Sequence, residues 1–398
     1  MTHEELDLFT DSRTERQRPV RKPRKRKRRR VVLWVSMVVV LGLIAVAGYF
    51  GLQQLLGIGD YDDYAGNGEN QVVVQVKNGE STGDIAATLA DADVVASSRA
   101  FVTAAESDER VRAIQPGYYV VKTKSSGKAA VTQIVAKDAK VGNLQITAGT
   151  QLHDIKNGNK VTPGIVTELS QASCAKLNGK STCVKPDQLW ASVKKADLAK
   201  LGVPDWAIPY AQKADPERRL EGLIMPGVYD VKPGSGADEL WQQLVSNSTT
   251  QLQAVGMPNI AQDTGFTPYQ LTIMASLIER EAIEKDFAKV SRVTYNRLAQ
   301  RMELQYDSTI NYVLDRPTIR TNGADRDKAG PYNTYQNTGL PPTPISAPSS
   351  EAFKAAASPA KGKWLYFVRC QKDGSSCFAS TQAEHDKNVA LAQDRDAY

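Results

Sequence analysis

The residues best suited to acid–base chemistry lie in ASLIEREAIEKD, residues 275–286, where Glu279 and Glu281 flank Arg280 directly after Leu277 and Ile278. On a helix turning about 100° per residue, Glu281 falls between Met274 and Leu277, inside an apolar stripe, and Glu279 falls at its edge near Ala275. A carboxylate in such a place is costly unless it is paired or protonated. Desolvation raises a carboxyl pKa, and a raised pKa makes a general acid at neutral pH. The competing reading is structural, with Arg280, Arg292 or Arg297 pairing with these carboxylates across a helix bundle. The residues alone leave both open.

Other chemistries have few candidates. There are four cysteines and three histidines, His3, His153 and His385, with no C-x-x-C, so a zinc site is not expected. Cys174 and Cys183 enclose a short Gly/Lys/Ser/Thr loop, and Cys370 and Cys377 enclose QKDGSS. Local pairs around turns predict two disulfides, Cys174–Cys183 and Cys370–Cys377, and an oxidising compartment. A Cys377–His385 nucleophilic pair is the minor alternative.

The glutamate segment needs a helix to hold it. Thr267 as N-cap and Pro268 at the first helical position open one, with Leu271, Met274, Leu277 and Ile278 as its apolar stripe. FAKVSRVTYNRLAQRM continues helically, a further helix is expected near 350–357, KWLYFVRC reads as a short buried strand, and TQAEHDKNVALAQ as a terminal helix. Ahead of these the chain repeats itself. VQVKNGESTGDI (74–85) aligns with LQITAGTQLHDI (144–155), sharing Gln75/Gln145, Gly79/Gly149, Asp84/Asp154 and Ile85/Ile155. IQPGYYVVK (114–122) aligns with IMPGVYDVK (224–232). Each copy predicts a strand, a turn at Gly and entry into a helix.

Charge is concentrated at the start. The chain holds 50 Lys/Arg and 44 Asp/Glu, but residues 1–30 alone hold twelve and five, leaving the remainder at a net −1. The rest of the chain therefore lacks the basic bias of nucleic-acid binders, and no nucleic-acid partner is expected. The basic tail abuts VVLWVSMVVVLGLIAVAGYF (31–50), twenty residues without a charge. That is about the length that spans a ~30 Å hydrocarbon core. Positive charge before the span predicts a cytoplasmic N-terminus, a cell-membrane anchor over 31–53 and the bulk of the chain outside. A cleaved signal peptide ending at Ala45-Val46-Ala47 is the rival. A Gly/Asp/Asn-rich linker is expected over 54–70.

Several strings together resemble one family: ASLIERE (275–281), YNRL (295–298), LQYDSTINY (304–312), PYNTYQNTGLPPTPISAPS (331–349), KAAASPAKGKWLYFV (354–368) and HDKNV (385–389). They resemble the endolytic murein transglycosylases, the YceG-like family of membrane-anchored peptidoglycan lyases, over about residues 71–392. LEGLIMPGVYDV (220–231) is similar to a further segment of that family, and the front repeat to its LysM-like subdomain. The resemblance implies an α+β chain with a single N-terminal transmembrane helix. A LysM-like α/β subdomain would cover 71–140, a second α+β repeat region with the Cys174/Cys183 loop 141–260, and a mixed helical catalytic domain 261–398.

The resemblance also implies roles. The family's essential glutamate is the first of the motif, which aligns with Glu279 and leaves Glu281 as its companion. Asn333 would fix Glu279 or the N-acetyl group, and Gln305, Asp307, Tyr332 and Tyr335 would hold the sugar, with packing as the alternative for the two tyrosines. A lytic transglycosylase needs one carboxylate, no metal and no cofactor. The implied partners are peptidoglycan glycan strands, the cytoplasmic membrane, and penicillin-binding proteins or other cell-wall synthesis and division proteins. Three features depart from the family pattern: Tyr306 where Thr or Ser is usual, Ser308 in place of the Pro of Asp-Pro-Thr, and the Cys174–Cys183 insert. The repeats and the anchor also suit a second reading, a non-catalytic LysM-like cell-wall binding or scaffold protein of the division machinery.

Overall fold

The computed structural model describes residues 34–48, 61–314 and 323–397. They belong to two units, residues 1–61 and 62–398. In the first, a helix, α1, covers 34–48 with every side chain exposed. Among the described residues no helix is long and apolar enough to cross a membrane. The basic tail over 1–30, both ends of the span expected at 31–53, and residues 54–60 of the expected linker lie outside the described residues. The linker's remainder is docked: Asp63 Oδ1 accepts from the Gly127 N–H at 2.8 Å, and the Tyr64 hydroxyl donates to Asp93 at 2.5 Å.

The first module runs β1 (Gln71–Val76), α2 (Thr82–Asp91), α3 (Ser98–Ala105), β2 (Gly117–Lys122), α4 (Gly127–Ile134) and β3 (Lys140–Val141). Its sheet has the order β1-β2-β3, with Val76 opposite Gly117. Ser81 and Asp84 form a capping box that starts α2 immediately after the turn. The module has its own core, including Val74, Leu89, Phe101, Val121 and Ile134. Residues of this size each contribute about 1.5–3 kcal/mol on full burial.

The second module contains β4 (Asn143–Ile146), β5 (Ile155–Asn157), β6 (Lys160–Thr162), α5 (Ile165–Ala172), β7 (Lys176–Leu177), β8 (Lys180–Ser181), α6 (Pro186–Lys195), α7 (Ile208–Ala211), β9 (Gly227–Asp230) and α8 (Ala237–Val255). The repeat is structural: β4 pairs with β9 in the register of β1 with β2, Ile146 standing opposite Gly227. Tyr119 and Tyr229 each donate at 2.6 Å to the carbonyl four residues back, Gln115 and Met225. Gly79 and Gly149 both turn at φ +80°, a conformation that side chains disfavour. One expectation fails. In the second copy the chain does not enter a helix after Asp154. A β5–β6 hairpin intervenes, and Asp154 instead accepts from the Gly164 N–H at 2.8 Å, just ahead of α5. The β7–β8 hairpin lies inside the Cys174–Cys183 disulfide, and its tip, Asn178, makes three hydrogen bonds to Gln71 on β1. The insert thus fastens one module to the other.

The remainder holds α9 (Pro268–Glu281), α10 (Phe287–Ala299), α11 (Asp307–Asn311), α12 (Gly323–Asp327), α13 (Ser350–Ala357), β10 (Tyr366–Arg369), β11 (Ser376–Ala379) and α14 (Gln382–Asp394). Helix α9 starts where the sequence predicts, with a Thr267–Gln270 capping box and Pro268 in the first turn. It is not amphipathic over most of its length: Tyr269 and every residue from Leu271 to Ile278 are buried. The hydroxyls of Thr272 and Ser276 are satisfied by Pro268 O and Ile273 O of the same helix, so a polar residue can face the core there. One core joins Leu144, Leu169 and Trp241 of the second module to Tyr269, Leu277, Tyr306 and Ile345, so the expected boundary at 260/261 does not separate two cores. The strand expected from KWLYFVRC forms as β10 and is half-buried rather than buried, paired with β11 and stapled by Cys370–Cys377.

Candidate active site

Helix α9 delivers both glutamates in its last turn, and its neighbours treat them differently. Glu279 is half-buried at the start of α13. Its Oε2 accepts from the Ser349 N–H at 2.9 Å and from the Ser349 hydroxyl at 2.5 Å. Ser349 is the N-cap of α13, so Glu279 anchors a helix N-terminus, where negative charge is favourable.

Glu281 is enclosed by α11. Its carboxylate accepts from the Ser308 N–H at 3.2 Å in the first turn of that helix. Burial pushes its carboxyl up to about 7; the Ser308 contacts pull the other way, and the nearby Asp307 raises it further. The Ser308 hydroxyl is buried beside it without a hydrogen bond of good geometry. Some of the surface of Glu281 remains accessible.

No arginine pairs with either glutamate among the described residues. Arg280 donates to Gly149 O at 3.3 Å, Arg292 reaches Ala360 O, and Arg297 donates to Leu365 O, Glu303 O, Leu304 O and Gln305 Oε1. The bundle salt bridge that sequence left open is therefore not formed here.

The other candidates separate into two groups. Beside Glu281, Asp307 Oδ1 accepts from the Tyr335 hydroxyl at 2.7 Å and faces Arg326 at 3.3 Å. Burial, followed by the Asp307 hydrogen bond, pushes the Tyr335 phenol well up, which keeps it a donor. Asn333 is buried and structural in its contacts: its amide donates to Arg326 O and Lys328 O, and its Oδ1 accepts from the Tyr335 N–H. It thereby shapes the loop presenting Tyr335, and no hydrogen bond joins it to Glu279 or Glu281 among the described residues. Gln305, at φ +56°, spends its Oε1 on Arg297. Tyr332 is set apart, buried, sharing a 2.8 Å hydrogen bond with Thr343 and lying under the Arg218 guanidinium.

Sequence reasoning missed Glu221, although it lies in the quoted segment LEGLIMPGVYDV. Its exposure is 1%, and burial pushes its carboxyl up to about 7, against hydrogen bonds from the Leu152 N–H and the Tyr312 hydroxyl. The Tyr312 bond is 3.0 Å, and each Glu221 oxygen lies 3.3 Å from Leu152 N. Glu281 and Glu221 therefore hold opposite ends of α11, one through the Ser308 N–H and the other through the hydroxyl of Tyr312, its C-cap residue. Glu221 sits in neither a helix nor a strand, so no period flags it, and the resemblance of its segment to the family was the signal that could have. Of Glu221 and Glu281, only Glu281 keeps a surface that a substrate can touch.

The arrangement sets Glu281, a partly accessible carboxylate with a raised pKa, beside the polar pair Asp307 and Tyr335, on an α+β scaffold of two repeated modules. The chain belongs to the YceG-like family, whose model matches residues 74–391. An endolytic murein transglycosylase of Bacillus subtilis (strain 168) is 28% identical over 321 residues, covering 79% of this chain and 83% of its own. One of Streptococcus pneumoniae serotype 2 (strain D39 / NCTC 7466) is 26% identical over 370 residues, covering 89% of this chain and 64% of its own length. A crystal structure of a YceG-like protein from Listeria monocytogenes shares the fold, with a TM-score of 0.50 and 23% identity over 80% of this chain and 98% of that one.

Proposed function

We propose that this protein is an endolytic peptidoglycan lytic transglycosylase and that Glu281 is its general acid. The observation that carries the reading is the placement of Glu281, enclosed against the first turn of α11 with part of its surface accessible, where burial raises its carboxyl to about 7. The names of its relatives supply the substrate class. Protonated Glu281 donates to the oxygen between N-acetylmuramic acid and N-acetylglucosamine. The muramyl C6 hydroxyl attacks C1 and leaves a 1,6-anhydro end, and the Glu281 carboxylate takes up that hydroxyl proton. A hydrolysing glycosidase uses a second carboxylate as base or nucleophile. Asp307, whose charge acts on Glu281, is already an acceptor for Tyr335 and Arg326, which favours a positioning role. Tyr335 and Asp307 form the polar strip against which the sugar is oriented. Glu279 supports the site by holding α13 against α9.

The uncharged run at 31–50 and the basic tail before it support a membrane anchor with the N-terminus in the cytoplasm, which places the enzyme beside membrane-bound wall synthesis, penicillin-binding proteins included. N-terminal sequencing of membrane-extracted protein tests the anchor, and a mature start at Gly48 would sink it. The activity is tested by digesting isolated peptidoglycan with the full-length protein in detergent and weighing the products. Anhydromuramyl ends are expected. Intact strands would favour the scaffold reading instead.

A further inference from the structure

Beyond the end of α11 a cavity of about 600 Å³ opens between the second module and the catalytic helices. One wall is Tyr312, and another is Trp190 of α6 stacked on His153, ring centroids 4.2 Å apart. The floor is prebuilt, because the buried Glu221 holds both Leu152 and Tyr312 from beneath. The charges around the rim are not equivalent. Glu217 is occupied by Lys194 at 2.5 Å and by His153 at 3.4 Å, and Asp154 accepts from the Gly164 N–H. Asp187 sits in the first turn of α6, where the helix end offsets its charge. Arg218 is different. Its guanidinium lies 4.3 Å over the Tyr312 ring and 5.3 Å over that of Tyr332, and among the described residues no carboxylate comes within 4 Å of it. The Tyr312 hydroxyl and the buried Glu221 beneath are its polar neighbours. A guanidinium held over aromatic rings in the lining of a cavity can take a planar anion, and a carboxylate matches its fork.

We propose that this cavity is the subsite for the stem peptide of the peptidoglycan strand, with Arg218 pairing with a peptide carboxylate and Trp190 packing on its apolar side chains. The inference rests on the reading of the protein as an enzyme of peptidoglycan and deepens it. Every muramyl ring of a strand laid across Glu281 carries a lactyl-linked peptide, and the cavity begins on the same five-residue helix that holds Glu281. The subsite would make the enzyme prefer peptide-bearing strands to denuded ones.

The test titrates full-length wild-type protein in detergent with N-acetylmuramyl-L-alanyl-D-glutamic acid, which has no bond for the enzyme to cleave, and with its diamide. The acid should bind about tenfold more tightly than the diamide, the scale of one charge-assisted pair. Arg218→Gln should bring the two affinities together, and Arg218→Lys, which keeps the charge and tests the site should the first variant fold poorly, should retain part of the difference. In parallel, the kcat/KM ratio for peptide-bearing over amidase-denuded strands should fall toward one in Arg218→Gln. Equal binding of acid and diamide by the wild type, or a difference that survives Arg218→Gln, overturns the subsite. A protein that discriminates acid from diamide but cleaves no strand would instead refute the enzymatic reading and leave the subsite standing.

Discussion

Replacing Glu281 by Gln separates a catalytic carboxylate from a structural one, because the two predict opposite changes in stability. A carboxyl raised from its ordinary 4.5 to about 7 in the folded protein is costly once it ionises. The sign follows from linkage: the protonated side chain is harmless below pH 4.5, the cost grows as pH rises toward 7, and above that it stays constant. The full shift corresponds to about 3 kcal/mol, and the surface that Glu281 keeps reduces this to roughly 1–3 kcal/mol. Gln keeps the shape and can still accept from the Ser308 N–H, but it carries no charge. Glu281→Gln should therefore raise the melting temperature at pH 8 by about 1–4 °C and leave it nearly unchanged at pH 4. The same variant should lose almost all formation of anhydromuramyl ends. Calorimetry at the two pH values and product analysis on isolated peptidoglycan provide the readouts. A variant that is destabilised at pH 8, or that turns over at the wild-type rate, would refute the reasoning.

Glu279→Gln should behave differently: weakening the paired bonds to Ser349 should cost about 1–2 kcal/mol and slow the reaction without abolishing it, as read by melting and turnover. Ser308→Pro removes the N–H that favours ionised Glu281, at a first-turn position where proline is tolerated. The alkaline limb of kcat/KM, expected near pH 7 in the wild type, should move up by about one unit. Converting Cys174 and Cys183 to Ser frees the hairpin whose tip clasps Gln71, so stability should fall by about 2–3 kcal/mol with turnover retained, while non-reducing peptide mapping of the wild type should find both bridges.

Local chemistry was readable where it is local. The Thr267–Pro268 start of α9 and the two short-range disulfides follow from residues close in sequence, and the repeats, though far apart, fix a shared register by their likeness. The depth of Glu281 followed from the helical period, which places it among Met274 and Leu277. What the period could not supply was the partner on the other side. Ser349 and Ser308 lie far along the chain from the glutamates they meet, and only the packing of α13 and α11 on α9 gives Glu279 a cap to hold and Glu281 an enclosure. The resemblance pointed to Glu279 as the acid, whereas the two environments favour Glu281 in the mechanism proposed here. Asn333 and Gln305 look like substrate ligands in a polar string, but their amides are spent on loop carbonyls and on Arg297. Glu221 was invisible for the same reason: its acceptor role depends on Leu152 and Tyr312, which converge only in the fold.

The central claim is that a single carboxylate breaks the glycan without consuming water. It is tested most directly by digesting peptidoglycan with the full-length enzyme in water enriched in the heavy oxygen isotope and weighing the new ends. The account predicts anhydromuramyl ends that carry no heavy oxygen and that disappear with Glu281→Gln. Reducing ends that carry the heavy isotope would mean that water attacks the anomeric carbon, and would contradict it.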